Sequence, residues 1–118
     1  MNIFKRLLRG LGLNQFKVIY LSDNPKHEDV KLNTIYIVGG KDYVKWLYLK
    51  CPDNCGENII LNLSQSKRPV WKISFDKLGR ISIYPSIHKL DGCLSHFWIN
   101  KGKIINVTSQ SVTYFSHY

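Results

Sequence analysis

Apolar and polar residues alternate along several short stretches of the chain. Every second residue of segment 71–75 is apolar, and Lys72 and Ser74 lie between the apolar positions. A period of two is typical of a β-strand with one buried face. Segment 76–79 ends in glycine and segment 80–84 is again rich in β-forming residues. The pattern therefore predicts a β-hairpin over residues 71–84.

Six further segments have the composition of strands and are bounded by turn-forming residues. They are 16–21, 34–38, 43–49, 58–63, 96–100 and 103–107. Lys101 and Gly102 separate the last two segments, which indicates a second hairpin. The sequence predicts a mostly β fold, a small antiparallel sandwich or an open barrel, over residues 16–107.

The two ends of the chain have a different pattern. Apolar residues recur at helical spacing near the N terminus, with basic residues between them, which predicts a short amphipathic helix over residues 1–14. Such a helix either packs on its own domain or lies on a membrane or partner surface. Residues 108–118 form a polar and aromatic tail. We expect one domain over residues 1–118.

Composition limits the class of protein. A hydrophobic share of 44% in 118 residues is too high for a wholly disordered chain. No apolar run approaches the roughly 18 residues of a membrane span, and the start lacks the apolar core of a signal peptide. We therefore expect a cytoplasmic protein without a transmembrane segment. The net charge of +9 attracts polyanions, so nucleic acid is one possible partner.

Three cysteines and one histidine have a spacing that suits a metal ion. Cys51 and Cys55 bracket a turn, and Cys93 and His96 follow as a second short-spaced pair. Three thiolates and one imidazole form a known structural zinc set. The alternative is that the cysteines are buried as small apolar residues.

A second hypothesis uses the same neighbourhood for nucleophilic catalysis. Ser86 comes just after a predicted strand, and His96 opens the next one. If the two segments are adjacent, the imidazole of His96 can act as general base toward the Ser86 hydroxyl. The hypotheses compete, because an imidazole nitrogen that binds zinc cannot also accept the serine proton. Glu57 and Asp91 are the candidates for a third, orienting group.

The aromatic residues also allow two interpretations. Aromatic side chains exposed among lysines bind single-stranded nucleic acid, whereas buried ones fill a core. If segment 96–99 is extended, Trp98 shares a face with His96, and Phe97 shares the other with Ile99. Trp98 is then expected to form a wall of the site.

Several motifs between residue 51 and residue 107 occur together in one known family. The chain resembles small bacterial domains of unknown function that carry a CPCGCG-type turn, an RP-x-W strand, a PSI segment and a GC-x-SHFWI motif. The matching residues are Cys51-Pro52, Cys55-Gly56, Arg68-Pro69-Val70-Trp71, Pro85-Ser86-Ile87, Gly92-Cys93-Leu94-Ser95-His96-Phe97-Trp98-Ile99 and Gly102. Of these motifs, GC-x-SHFWI is the specific one. The chain departs from the family in the first turn, where Asp53 stands in place of the middle cysteine.

Members of that family are often encoded beside ubiquitin-like proteins and their conjugation enzymes in anti-phage operons. The resemblance implies an accessory protein of such a system, with Ser86 and His96 as the catalytic pair of a serine-type peptidase. It also implies that the cysteines hold the loops in place, by metal or by packing. If the family's middle cysteine is a metal ligand, either the metal site is weaker in this chain or Asp53 supplies an oxygen ligand instead. The alternative is a non-catalytic, zinc-stabilised β module that binds protein or nucleic acid.

Overall fold

A computed structural model of the chain describes residues 16–53, 55–89 and 92–107. The predicted helix over residues 1–14 and the tail over residues 108–118 lie outside this part. The described chain is mostly β, as predicted, with one short 3₁₀ helix, His27–Asp29. The strands are β1 Lys17–Leu21, β2 Thr34–Gly39, β3 Val44–Lys50, β4 Asn58–Asn62, β5 Lys72–Phe75, β6 Ile81–His88, β7 His96–Asn100 and β8 Lys103–Asn106.

The strands form two four-stranded sheets. The first sheet has the order β1-β2-β3-β4 and the second has the order β5-β6-β7-β8. Every pair of neighbours is antiparallel except β1 and β2, which are parallel. The sheets are thus mostly antiparallel, as predicted, and this pair is the exception. The reason is the connection through the 3₁₀ helix, which is long enough to return the chain before the second strand begins.

One hydrophobic core joins the two sheets, as in a sandwich. Its members come from alternate positions of β2, β3 and β4 in the first sheet and of β6 and β7 in the second. On β7 the core residues are Phe97 and Ile99, which are 0% and 1% exposed. Since successive side chains of a strand point to opposite faces, His96 and Trp98 lie on the outer face of the second sheet.

Strand β6 is longer than the sequence predicts. The prediction ends the strand at Tyr84, before Pro85, but the strand continues to His88. Its pairing with β7 shifts register between Ile83 and Ile87. A proline is tolerated at such an irregularity because no ladder hydrogen bond from its nitrogen is needed there. Ser86 lies within this irregular stretch.

Candidate active site

The Ser86 hydroxyl and the His96 ring meet between β6 and β7. Ser86 Oγ lies 3.0 Å from His96 Nε2, within hydrogen-bond distance. The register pairs His88 with His96, which brings the end of β6 against the start of β7. A distance of 3.0 Å between the hydroxyl oxygen and the ring nitrogen is the separation required for a nucleophile and its general base.

His88 lies directly against the ring of His96. The two imidazole rings are stacked, with centroids 4.3 Å apart and planes 10° from parallel. Burial lowers the pKa of His96 below its usual value, and the charge of His88 lowers it further by a smaller amount. A lowered pKa keeps His96 neutral, which is the form that accepts a proton. The sequence predicts a loop at His88, from which this residue can approach the site, because the strand is predicted to end before it. The stacking of His88 on His96 was not predicted.

The side chains of this pair are covered. Ser86 is 0% exposed and His96 is 9% exposed. The indole N–H of Trp71 donates a hydrogen bond of 3.3 Å to the backbone carbonyl of Ser86, which ties this stretch of β6 to the start of β5. Trp98 shares the outer face with His96, as predicted, and is half-buried.

Three cysteines form a second cluster next to the pair. The Sγ atoms of Cys51, Cys55 and Cys93 all lie within 4.8 Å of one another. Cys93 Sγ is 3.1 Å from each of the other two sulfurs. The thiols are free, and their burial ranges from buried Cys51 to exposed Cys55. The turn after β3 and the loop before β7 therefore converge, as the sequence predicted.

Ser95 and Asp53 adjoin the cysteines. Ser95 Oγ lies 3.1 Å from Cys93 Sγ and 3.3 Å from Cys51 Sγ, and it is hydrogen-bonded to the Asp53 carboxylate. The contact with Ser95, followed by those with the two thiols, lowers the pKa of Cys93 to about 7. The same network raises the pKa of Cys55 to about 11, mainly through its hydrogen bond to Cys93.

Gly92 allows the two loops to approach each other. Its φ is +63°, and a Cβ at this position would lie 2.6 Å from Glu57 Oε1. Glu57 is itself paired with Lys89. The backbone conformation therefore favours glycine here. The contact with Glu57 does not, because its carboxylate is the end of a flexible, half-exposed side chain that can move aside. The ion pair engages Glu57, one of the predicted orienting groups, with a lysine. Asp91, the other, lies outside the described residues.

The structure separates the two predicted uses of His96. Within the described chain, the group of side chains that could hold a metal ion consists of the three cysteines and does not include His96. Ser95 points toward the sulfurs, and the next residue, His96, points toward Ser86. Alternation along an extended chain places the two side chains on opposite sides. His96 therefore faces the hydroxyl in this arrangement.

A comparison with protein families decides the membership of the chain. The model of the bacterial ubiquitination-like system serine protease family (BubE) matches residues 21–107. The chain belongs to this family. The match spans most of the chain and includes strands β2 to β8, Ser86, His96 and all three cysteines. The BubE family places the protein in a bacterial ubiquitination-like system, consistent with an accessory protein of such a system.

Other comparisons add no relative. No curated protein and no solved structure matches the chain. Within the described residues, no helix is long and apolar enough to cross a membrane. The roles of individual residues therefore rest on the geometry described above.

Proposed function

We propose that this BubE family member is a serine-type peptidase that processes or removes the ubiquitin-like modifier of its system. The observation that carries the proposal is the 3.0 Å contact between Ser86 Oγ and His96 Nε2. The family description, a serine protease, supports a serine nucleophile. We propose that the modifier and its conjugation enzymes are the partners, in the cytoplasm.

The chemistry follows the general acyl-transfer scheme. Ser86 Oγ attacks the scissile carbonyl carbon while His96 Nε2 accepts the hydroxyl proton. The C–N bond breaks, and the amine leaves with that proton from His96. A water molecule then gives a proton to His96 and attacks the ester carbonyl. The modifier leaves as a carboxylic acid, and Ser86 recovers its hydroxyl.

Burial adds a requirement to this reaction. Because Ser86 is 0% exposed, its hydroxyl meets a carbonyl only after substrate binding opens the covered site. Burial also supports the base, since desolvation lowers the pKa of His96. Closing a site against water strengthens the electrostatic interactions inside it.

We further propose that the cysteines hold a structural zinc ion. In tetrahedral zinc sites the Zn–S distance of about 2.3 Å corresponds to sulfurs about 3.8 Å apart. The three Sγ atoms lie within 4.8 Å of one another, so small movements adapt them to this geometry. The Asp53 carboxylate, held through Ser95, is the nearby oxygen donor. A bound ion would fix the loops on either side of Ser86 and His96.

The first prediction concerns the nucleophile. Ser86→Ala should lower the rate of cleavage of a modifier fused to a reporter protein by at least about 10³-fold, because the covalent route is lost. Ser66→Ala, in the exposed loop after β4, is the matched control and should cleave at the wild-type rate. Thermal unfolding and metal content should be unchanged in both variants.

The opposite result has a clear meaning. If Ser86→Ala cleaves as fast as the wild type, Ser86 is not the nucleophile. If the wild type does not cleave the fusion but binds a polyanion with steep salt dependence, the protein is a binding module.

A further inference from the structure

The outer face of the second sheet carries a continuous row of large side chains. The register places Lys72 opposite Tyr84 and Trp98 opposite Ile105. The rings of Tyr84 and Trp98 are in contact, with centroids 6.0 Å apart. One row of cross-strand neighbours, Lys72, Tyr84, Trp98 and Ile105, therefore runs across all four strands. We call it the aromatic row.

The aromatic row is exposed to a degree unusual for its residue types. Tyr84 is 66% exposed and Ile105 is 49% exposed. The row lines a shallow groove of about 360 Å³. Apolar surface grouped in this way is typical of an interaction site, and tyrosine and tryptophan are the residues that contribute most at protein interfaces.

The charge around the row has one sign. Lys72 lies at one end, and Lys103 on β8 pairs with Asn100 next to the row. No carboxylate occurs among the described residues that line the groove. The surface thus complements a partner that presents apolar side chains beside acidic ones.

The row and the candidate active site share two strands. On β6, Tyr84 is two residues before Ser86, and on β7, Trp98 is two residues after His96. On β7, residues two apart along the strand are separated by about 6.5 Å. On β6, Tyr84 and Ser86 lie on either side of Pro85 in the irregular stretch between Ile83 and Ile87. A polypeptide that covers the row therefore lies close to Ser86, which its neighbouring residues reach once binding opens the covered site.

We propose that the aromatic row is the substrate subsite, which binds the extended segment of the modifier polypeptide next to the scissile bond. Apolar side chains of that segment pack on Tyr84 and Trp98, and an acidic side chain faces Lys72 or Lys103. This inference rests on the proposed peptidase function. The geometry favours a polypeptide over a single-stranded nucleic acid. The two rings are tilted by 39°, so they form no parallel stacking platform, and the row ends in an aliphatic residue.

The test is a binding measurement that does not need turnover. Fluorescently labelled, purified modifier of the same system is titrated with the Ser86→Ala protein, and the anisotropy gives Kd. A second substitution in the Ser86→Ala protein, Ile105→Glu, should raise Kd at least tenfold, because it places a carboxylate in the aromatic row. Lys72→Glu should do the same. Ile60→Glu, the same change at a residue 51% exposed on the first sheet, is the matched control and should leave Kd unchanged.

The outcomes separate this inference from the proposed function. Suppose that the wild type cleaves the fusion, but that Ile105→Glu has the same Kd for the modifier and the same thermal stability as the Ile60→Glu control. The proposed subsite is then wrong, and the proposed peptidase function stands. If Ile105→Glu weakens binding but no cleavage occurs, the surface stands and the peptidase fails. If the modifier does not bind, or only a single-stranded 20-nucleotide DNA binds and depends on Ile105, the proposal is overturned.

Discussion

At the scale of single residues, the surroundings of His96 determine its protonation state. Its ring is nearly buried, stacked on His88 and in contact with Ser86. Burial disfavours the imidazolium ion, and a second imidazole at 4.3 Å disfavours it further. Both effects keep the proposed base neutral at pH values where a solvated histidine is partly protonated.

This environment predicts the pH dependence of cleavage. The base must be neutral, so kcat/KM should fall as the pH drops through the lowered pKa of His96, with a midpoint below 6.5. His88→Gln removes the neighbouring charge and should move the midpoint upward while the plateau rate at high pH is largely retained. A profile of kcat/KM from pH 4.5 to 9 for both proteins provides the measurement.

His27→Gln is the control, since this histidine lies in the 3₁₀ helix and its ring contacts Asn58. Its profile should match that of the wild type. A wild-type midpoint above 6.5, or an identical midpoint in His88→Gln, would contradict the role given to the stacked ring.

The predicted strand ends suggested the pair and the family resemblance selected it, but neither predicted its surroundings. Ser86 and His96 could be named because each lies near a predicted strand end. The contribution of His88 could not, since Pro85 suggested that β6 ends early and a loop has no defined partner. That β6 continues past Pro85 depends on the register shift against β7, which is a property of the paired strands.

At the scale of elements, the cysteine cluster joins two loops. Cys51 follows β3, whereas Cys93 precedes β7, so the cluster connects the first sheet with the second. The spacing of the short pairs predicted this meeting, because two close ligand pairs usually serve one ion. The departure at Asp53 was visible in the sequence, but its link to the cluster through Ser95 was not.

The element-scale prediction concerns zinc. Protein purified without chelator should contain about one zinc ion per chain. Zinc at about 100 times its Kd stabilises a fold by about 2.7 kcal/mol, which corresponds to about 10 to 20 °C in Tm for a domain of this size. Chelation should therefore lower Tm by about that amount. Metal analysis and thermal unfolding provide the measurement.

Cys93→Ser is the diagnostic variant for the metal centre. It should lose the ion and with it the response of Tm to chelator. Ser66→Ala, in the exposed loop after β4, should keep both. If the wild-type protein contains no metal and its Tm does not respond to chelator, the zinc proposal is wrong. The three thiols then only pack together.

At the scale of the whole molecule, one core supports two faces with different tasks. Alternating residues of β2, β3, β4, β6 and β7 fill the space between the sheets, and the remaining positions form the outer faces. Composition predicted most of these strands, and alternation predicted that Phe97 and Ile99 of β7 share one face, which is the buried one. The alternation in segment 71–75 predicted a buried face that includes Phe75, but Phe75 is 42% exposed. The relative direction of β1 and β2 could not be predicted, since alternation is the same for parallel and antiparallel strands.

The net charge of +9 indicates a class of partner only when the positions of the basic residues in the fold are known. By itself it allows nucleic acid, a membrane surface or an acidic protein. In the fold, Lys72 and Lys103 flank an apolar row that leads to Ser86 and His96. This proximity to the proposed chemistry favours a polypeptide substrate.

The most direct test of the account is to locate the covalent intermediate. The protein is mixed with the modifier fused through its C terminus to a reporter, quenched in acid at early times, and analysed by intact and peptide mass spectrometry. We predict the modifier attached as an ester on Ser86. A thioester on Cys93, whose pKa is lowered to about 7, would contradict the account by showing that a cysteine is the nucleophile.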